Sequence, residues 1–351
     1  MNRILSFHGR GLDQVISRTS MRLILAVLLV GAALPSQALD NATRLKAVND
    51  TIKSGTGNQA CTSLTKFYWE IGDKVGGSGH VWSGTAGGTG TAPTAAQQIP
   101  IYSAGKWVWG AYVYERLGGV LIPNSADDKF LTMESGHAAS PVANACTLSA
   151  TIQACRTSMP AHEPAKVDKF YYGPAHFQQQ AITSFGMGAF SKAQLATEIH
   201  RLLGTDFVLT YNAPQMAGGA KSSATDYAKF LRKIMNAQLR MGTGLGTNAV
   251  CTFYDANTCP SAGYSPVNEA AAGLQEAWHY SIGHWVEDAP GIGDGAFSSP
   301  GAAGFYPWID ADKNYYGILA RNVVATTSAA NSVKCGRKIR KAWLTGTAQL
   351  Q

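Results

Sequence analysis

Charge is scarce in this sequence. Only 15% of its 351 residues are Asp, Glu, Lys or Arg, against 45% apolar. A disordered chain needs the opposite balance, and this one has enough apolar side chain to fill a large core in one or two domains. The formal net charge is +7. Arg3, Arg10, Arg18 and Arg22 against Asp13 place three of those charges in residues 1–38. The remainder shows no basic run interleaved with aromatics, so nucleic acid is not expected as a partner.

Several chemical signatures are also missing. Neither C-x-x-C nor H-E-x-x-H occurs, which leaves zinc as the weaker reading of the cysteines. No G-x-S-x-G occurs, which excludes a nucleophile elbow. "GTGLGT" (Gly242–Thr247) lacks the last glycine of G-x-G-x-x-G and follows a helical pattern, so it reads as a loop. No repeat is visible, and neither a metal nor a cofactor is expected.

Long apolar runs are limited to "LILAVLLVGAAL" (Leu23–Leu34), 12 residues where a bilayer span takes about 20. With Arg22 before it and "PSQA" after it, the run reads as a signal peptide over residues 1–38, cut after Ala38. An uncleaved anchor is the alternative, and Met21 is an alternative start. Cleavage implies a periplasmic or secreted chain, residues 39–351, with no stable membrane insertion. All six cysteines fall in that mature part. An even count in an exported protein predicts disulfides. Local spacing pairs Cys146 with Cys155 and Cys251 with Cys259, leaving Cys61 for Cys335.

The patterning predicts a short helix over 41–54, two strands (Lys66–Gly77 and Gly79–Gly87), and an extended segment turning helical near Ser103 and stopping at Gly118-Gly119. Helices are predicted at Ser191–Phe207 and Lys221–Gly242, the latter capped by Thr225 or Ser223. Strands are predicted at Glu276–Asp288, Gly301–Asp312 and Asn314–Val324, with a last helix at about Ser328–Leu344. Strands from both chain ends would complete one sheet. That arrangement predicts a discontinuous α/β part, about 39–100 and 270–351, around a helical part, about 101–269.

The stretch "IPIYSAGKWVWGAYVYERLGG" (Ile99–Gly119) carries a single charged residue, Lys106, before Glu115. A helix apolar on every side is buried, so this lysine has little room to snorkel. Ser103 lies three residues earlier, which on a helix brings the Cβ atoms to about 5–6 Å. Burial disfavours the ammonium form. A neutral amine beside a hydroxyl can take its proton and activate the oxygen as a nucleophile, and the free N–H of Ser103 at the helix start can hold an oxyanion. The plainer reading is a serine cap and a surface lysine. A second S-x-x-K, Ser63–Lys66, lacks the apolar context and is given no role.

This segment resembles the active-site helix of the serine β-lactamase and penicillin-binding-protein superfamily, near class C β-lactamase-like esterases and 6-aminohexanoate-dimer hydrolases. "FYYGPAHFQQQAI" (Phe170–Ile182) resembles that family's tyrosine motif. "MAGGAKSSATDYAKFLRKIMN" resembles its Gly-Gly turn and following helix. "HYSIGHWVED" and "SSPGAAGFYPWIDADKNYYGILARN" resemble its late strands. The resemblance spans roughly residues 45–345. It implies an α/β (α+β) fold with a central antiparallel sheet flanked by helices, plus an all-helical subdomain.

By position, the resemblance makes Ser103 the nucleophile, Lys106 its base and Tyr172 the proton shuttle to the leaving group, with Tyr171 the alternative. The family's Lys-Thr-Gly motif falls on Ser299-Pro300-Gly301, and the second oxyanion amide on Ala302. Ser299 replaces the cation that would meet a β-lactam carboxylate; its hydroxyl is left to contact substrate or face solvent. Pro174 replaces an amide of the tyrosine motif. His176, His279 and His284 are candidates for a pocket wall or for structural roles. The expectation is an exported serine hydrolase acting on a small ester or amide. The alternatives are a β-lactamase or DD-peptidase, and a catalytically silent binding protein on the same fold.

Overall fold

A computed structural model describes residues 39–138, 146–271 and 273–350; the expected signal segment lies outside the described residues. In chain order the elements are α1 (Asn41–Ile52), α2 (Gln59–Thr62), β1 (Phe67–Asp73), β2 (Val81–Ala86), β3 (Ile99–Pro100), a 3-10 turn (Tyr102–Ala104) and α3 (Gly105–Arg116). Then come α4 (Ala126–Leu131), α5 (Ile152–Thr157), β4 (Phe170–Tyr171), α6 (Ala175–Thr183), α7 (Lys192–Leu203), β5 (Thr210–Tyr211), β6 (Ala220–Ser222), α8 (Ala224–Met235) and α9 (Met241–Gly244). The chain closes with β7 (Val250–Cys251), β8 (Ala262–Tyr264), β9 (His279–Tyr280), β10 (Trp285–Glu287), β11 (Ala296–Ser298), β12 (Tyr306–Ile309), β13 (Tyr315–Ala320) and α10 (Ser328–Thr345).

Short polar side chains set most helix starts. Asp40, Asn58, Ser125, Thr151, Ser191 and Ser223 each accept a backbone N–H at the beginning of α1, α2, α4, α5, α7 and α8. Each such cap contributes about 1 kcal/mol. The helices α3 and α10 begin without one, and both starts lie at cavities described below.

The main sheet has eight strands in the order β2-β1-β13-β12-β11-β10-β9-β7, every pair antiparallel. The first and last strands of the chain meet one strand in from its β2 edge, with Tyr68 opposite Ala320 and Asp73 opposite Tyr315. β1 is buried along nearly its whole length. Adjacent residues of a strand point to opposite faces, and β13 shows what covers each. Tyr315 packs edge-on against Trp343 of α10, ring centroids 5.6 Å apart. Tyr316 accepts a hydrogen bond from Arg232 of α8 at 2.8 Å. Helices therefore cover both faces.

Three disulfides join the pairs expected from the sequence: Cys61–Cys335, Cys146–Cys155 and Cys251–Cys259. The first ties α2 to α10. Among the described residues no helix is long and apolar enough to cross a membrane.

Four expectations need correction. The helix predicted at Lys221–Gly242 opens instead with strand β6 and ends at Met235. Ser223 pins that boundary, because its side chain accepts from Asp226 N. The strand predicted at Glu276–Asp288 is two strands, β9 and β10, reversing at Gly283, whose φ of 70° suits a turn. β11 was not anticipated, and the strand predicted from Gly301 begins only at Tyr306. The middle segment is not purely helical: it carries the small sheets β3-β6-β5 and β4-β8, and it supplies β7 to the edge of the main sheet.

Candidate active site

Ser103 is positioned by a strand and a packed helix. β3 pairs with β6, Ile99 opposite Ser222, and Ile101 N donates to Ala220 O at 3.0 Å. The chain then turns sharply. Tyr102 takes a left-handed φ of 47°, which costs a bulky L-residue about 1–2 kcal/mol. Such local strain concentrates at functional sites. Ser103 sits in the 3-10 turn that leads into α3. Gly110 lets α3 approach the β9–β10 turn: a Cβ there would collide with the carbonyl of Ile282.

Lys106 is 4% exposed. Its Nζ lies 2.9 Å from Ser103 Oγ and 2.9 Å from the carbonyl of Ala217. It also stands 4.6 Å from the centre of the Tyr172 ring. Burial alone lowers its pKa to about 7, with no carboxylate opposing the shift. The deprotonated amine can donate to Ala217 O and still turn its lone pair to the Ser103 hydroxyl.

Between the two tyrosines, the structure brings Tyr172 to Ser103. Its ring stacks on Trp285 at 5.3 Å, and its hydroxyl has hydrogen-bonding contact with Ser103. Burial pushes the phenol well above its ordinary value, and the Ser103 contact opposes only part of that. Tyr172 thus holds its proton at neutral pH. Tyr171 points elsewhere, its ring under Lys166 Nζ at 4.7 Å and against Gly263.

The loop after β11 closes the other side. A Cβ on Gly301 would strike the carbonyl of Ile101, so glycine lets this loop reach the turn that bears Ser103. Gly301 N donates to Phe305 O and Gly304 N to Gly301 O, each at 2.8 Å. Among the described residues the N–H groups of Ser103 and Ala302 donate to no protein acceptor. Ser299 does not face solvent. It is 1% exposed, and its hydroxyl donates to Ser103 O at 2.8 Å.

Ser103, Tyr172, Pro300 and Ala302 open onto one cavity of about 250 Å³. Trp285, Val267, Leu274 and, from α10, Ala329, Ala330 and Val333 supply apolar walls; among the described residues no charged side chain lines it.

None of the three candidate histidines lines this cavity. His176 is fully buried. Its Nδ1 meets Ser135 Oγ at 2.7 Å and its Nε2 meets Tyr171 O at 2.8 Å. Burial lowers its pKa to about 3, so it is a neutral brace behind Tyr171 and Tyr172. His284 stacks on Trp107 at 5.5 Å and accepts from Gly246 N at 3.1 Å. His279 pairs with Asp288 at 2.8 Å. The carbonyl of Ala217 and the α10 wall were not anticipated. A backbone acceptor leaves no residue signature, and small apolar residues on a helix carry no chemical one.

No family profile matches the sequence, and no curated protein matches it. Solved structures do match the fold. A D-stereospecific amidohydrolase from a Streptomyces species superposes with a TM-score of 0.55 at 13% identity, over 88% of this chain and 100% of that one. Simvastatin synthase from Aspergillus terreus gives 0.56 at 11% identity, over 87% and 98%. An octameric penicillin-binding protein homologue from Pyrococcus abyssi gives 0.53 at 13%, over 83% and 75%. The chain has the fold of the β-lactamase and penicillin-binding-protein group, the fold class that the order of its motifs implied.

Proposed function

We propose that this chain is a serine hydrolase that cleaves an uncharged ester or small amide through an acyl-enzyme. The observation that carries this reading is a buried lysine with no counter-charge, 2.9 Å from a serine hydroxyl at the floor of a cavity. Burying a cation without a partner is costly, and the cost has a use if the neutral amine is the working form.

In the first step Lys106 takes the proton of Ser103 as Oγ bonds to the substrate carbonyl carbon. The carbonyl oxygen gains negative charge, and the free N–H groups of Ser103 and Ala302 receive it. The tetrahedral centre collapses, the bond to the alcohol or amine breaks, and Tyr172 gives the leaving group a proton, regaining it from Lys106. Water then attacks the acyl-serine by the same route, releasing the acid and restoring Ser103.

The apolar cavity supports a neutral acyl group. Ser299, where the family carries a lysine, gives no cation for a carboxylate, and Pro174 gives no side-chain amide; both weigh against β-lactam or peptidoglycan substrates. Export, with cleavage after Ala38, is part of the proposal and is supported by three disulfides. So is the division into an α/β part drawn from both chain ends and a mainly helical part between them.

The test is labelling by a fluorophosphonate, read by intact mass. Wild type is expected to gain one adduct. Ser103→Ala should gain none, and Lys106→Ala should label at least about a hundredfold more slowly. Tyr172→Phe should label but lose ester turnover by about a hundredfold. No adduct on folded wild type would sink the reading in favour of a silent binding protein.

A further inference from the structure

A second cavity, of about 260 Å³, lies between the turn from α2 into β1, the end of β13 and the start of α10. Its polar lining includes Ser63, Arg321, Ser328, Asn331 and Lys334, and among the described residues no acidic side chain lines it. It shares only Ala325 with the cavity at Ser103.

Arg321 is 4% exposed. One of its terminal nitrogens reaches Ser332 Oγ at a long 3.3 Å, and its Nε is buried without a partner among the described residues. Burial alone lowers its pKa, with no carboxylate acting against the shift. Thr65 Oγ1 is also buried and unpartnered among the described residues. Unsatisfied buried polar atoms are rare enough in folded proteins that two around one cavity call for a cause. A buried guanidinium without an anion is costlier still. The start of α10, an 18-residue helix with no side-chain cap, adds the positive end of its dipole, and Lys334 adds a cation at the rim.

We propose that this cavity binds a small oxyanion: a phosphate, sulfate or carboxylate group, seated on Arg321 at the amino end of α10. Charge-assisted hydrogen bonds from a guanidinium and a helix terminus favour such groups. The arginine, whose terminal nitrogens are the ones left to meet a ligand, would gain a counter-charge. The volume leaves room beside the anionic group for a small organic body. The site stands apart from Ser103 and does not depend on the hydrolase reading.

The experiment is thermal unfolding of the mature chain at constant ionic strength, with chloride replaced stepwise by inorganic phosphate, and in a parallel series by acetate. Phosphate is expected to raise Tm saturably, by about 1–2 °C at ten times Kd. A matching rise in acetate alone would assign the site to carboxylates within the same proposal. Arg321→Gln should weaken binding at least about tenfold. Because Arg321 is buried and its loss could impair folding, Lys334→Glu on the exposed rim is the second variant, also expected to weaken binding about tenfold. Fluorophosphonate labelling of Ser103 should proceed in both. A Tm indifferent to either anion, or an equal response in wild type and Lys334→Glu, would overturn the proposal.

Discussion

The hydroxyl of Ser299 donates to the backbone carbonyl of Ser103 across 2.8 Å, joining residues 196 apart in sequence. This bond fastens the loop after β11 to the turn that carries the proposed nucleophile. The same loop presents Ala302, so the two proposed oxyanion amides are held in one frame. Ser299 is buried and spent on this bond, so the role proposed for it is positioning and not substrate contact.

Replacing it tests that frame. Ser299→Ala removes one donor from the Ser103 carbonyl, which still accepts from Gly105 N–H, a loss of about 0.5–1.5 kcal/mol. If the bond sets the geometry of attack, kcat should fall about tenfold with KM little changed, because the interaction matters most when the oxyanion forms. The rate of fluorophosphonate labelling should fall by the same factor. A lowered Tm with unchanged kcat and labelling would reduce Ser299 to a structural role.

Lys106 makes a prediction about both rate and stability. Its pKa falls from 10.5 to about 7 on folding. With the neutral amine as the proposed base, kcat/KM should rise with pH through about 7 and then level off. Stability follows the same group. Between about pH 7 and 10.5 the unfolded chain binds the proton and the folded chain does not, so raising the pH favours the folded state across that window. Below about pH 7 both states are protonated and the full cost of the buried charge is present, roughly 5 kcal/mol at most. Lys106→Met should therefore abolish turnover and raise stability most at acid pH. Its advantage over wild type should shrink as pH climbs from 7 toward 10.5. Denaturant titrations at three pH values would decide; a gap independent of pH would mean Lys106 is charged or solvated in the folded state.

How far the sequence foretells this site depends on what each residue shows. Ser103 and Lys106 were legible because a three-residue spacing and an apolar surround both survive in one dimension. Tyr172 was legible only up to its neighbour: Tyr171 ends a two-residue strand and Tyr172 follows it, and nothing local says which of the two meets Ser103. The role of Ser299 was out of reach, since its partner is a backbone carbonyl 196 residues away. The sheet was largely readable at β1 and β13, where apolar and aromatic residues dominate, and at β2, which follows β1 across a Gly-rich turn. It was misread at β9 to β11, where strands of two or three residues are too short to show a period. The three disulfide pairs followed from spacing because two close short loops and only one pair was left.

The cavity at Ser103 yields a prediction about substrate charge. Its walls carry apolar side chains from β10, α10 and the loops around Val267 and Leu274, and among the described residues no charged group lines them. A carboxylate on the acyl chain would enter without a counter-ion, at a cost of several kcal/mol. Neutral short-chain p-nitrophenyl esters should therefore exceed their ω-carboxylate counterparts in kcat/KM by at least about a hundredfold. Ala329, half-buried on the α10 wall, is the place to reverse this. Ala329→Arg should raise kcat/KM for the carboxylate ester at least about tenfold while lowering it for the neutral one. Equal rates for charged and neutral esters in wild type would mean that the acyl chain points to solvent. The α10 wall would then contact the leaving group, and Ala329→Arg should shift selectivity among alcohols instead of acids.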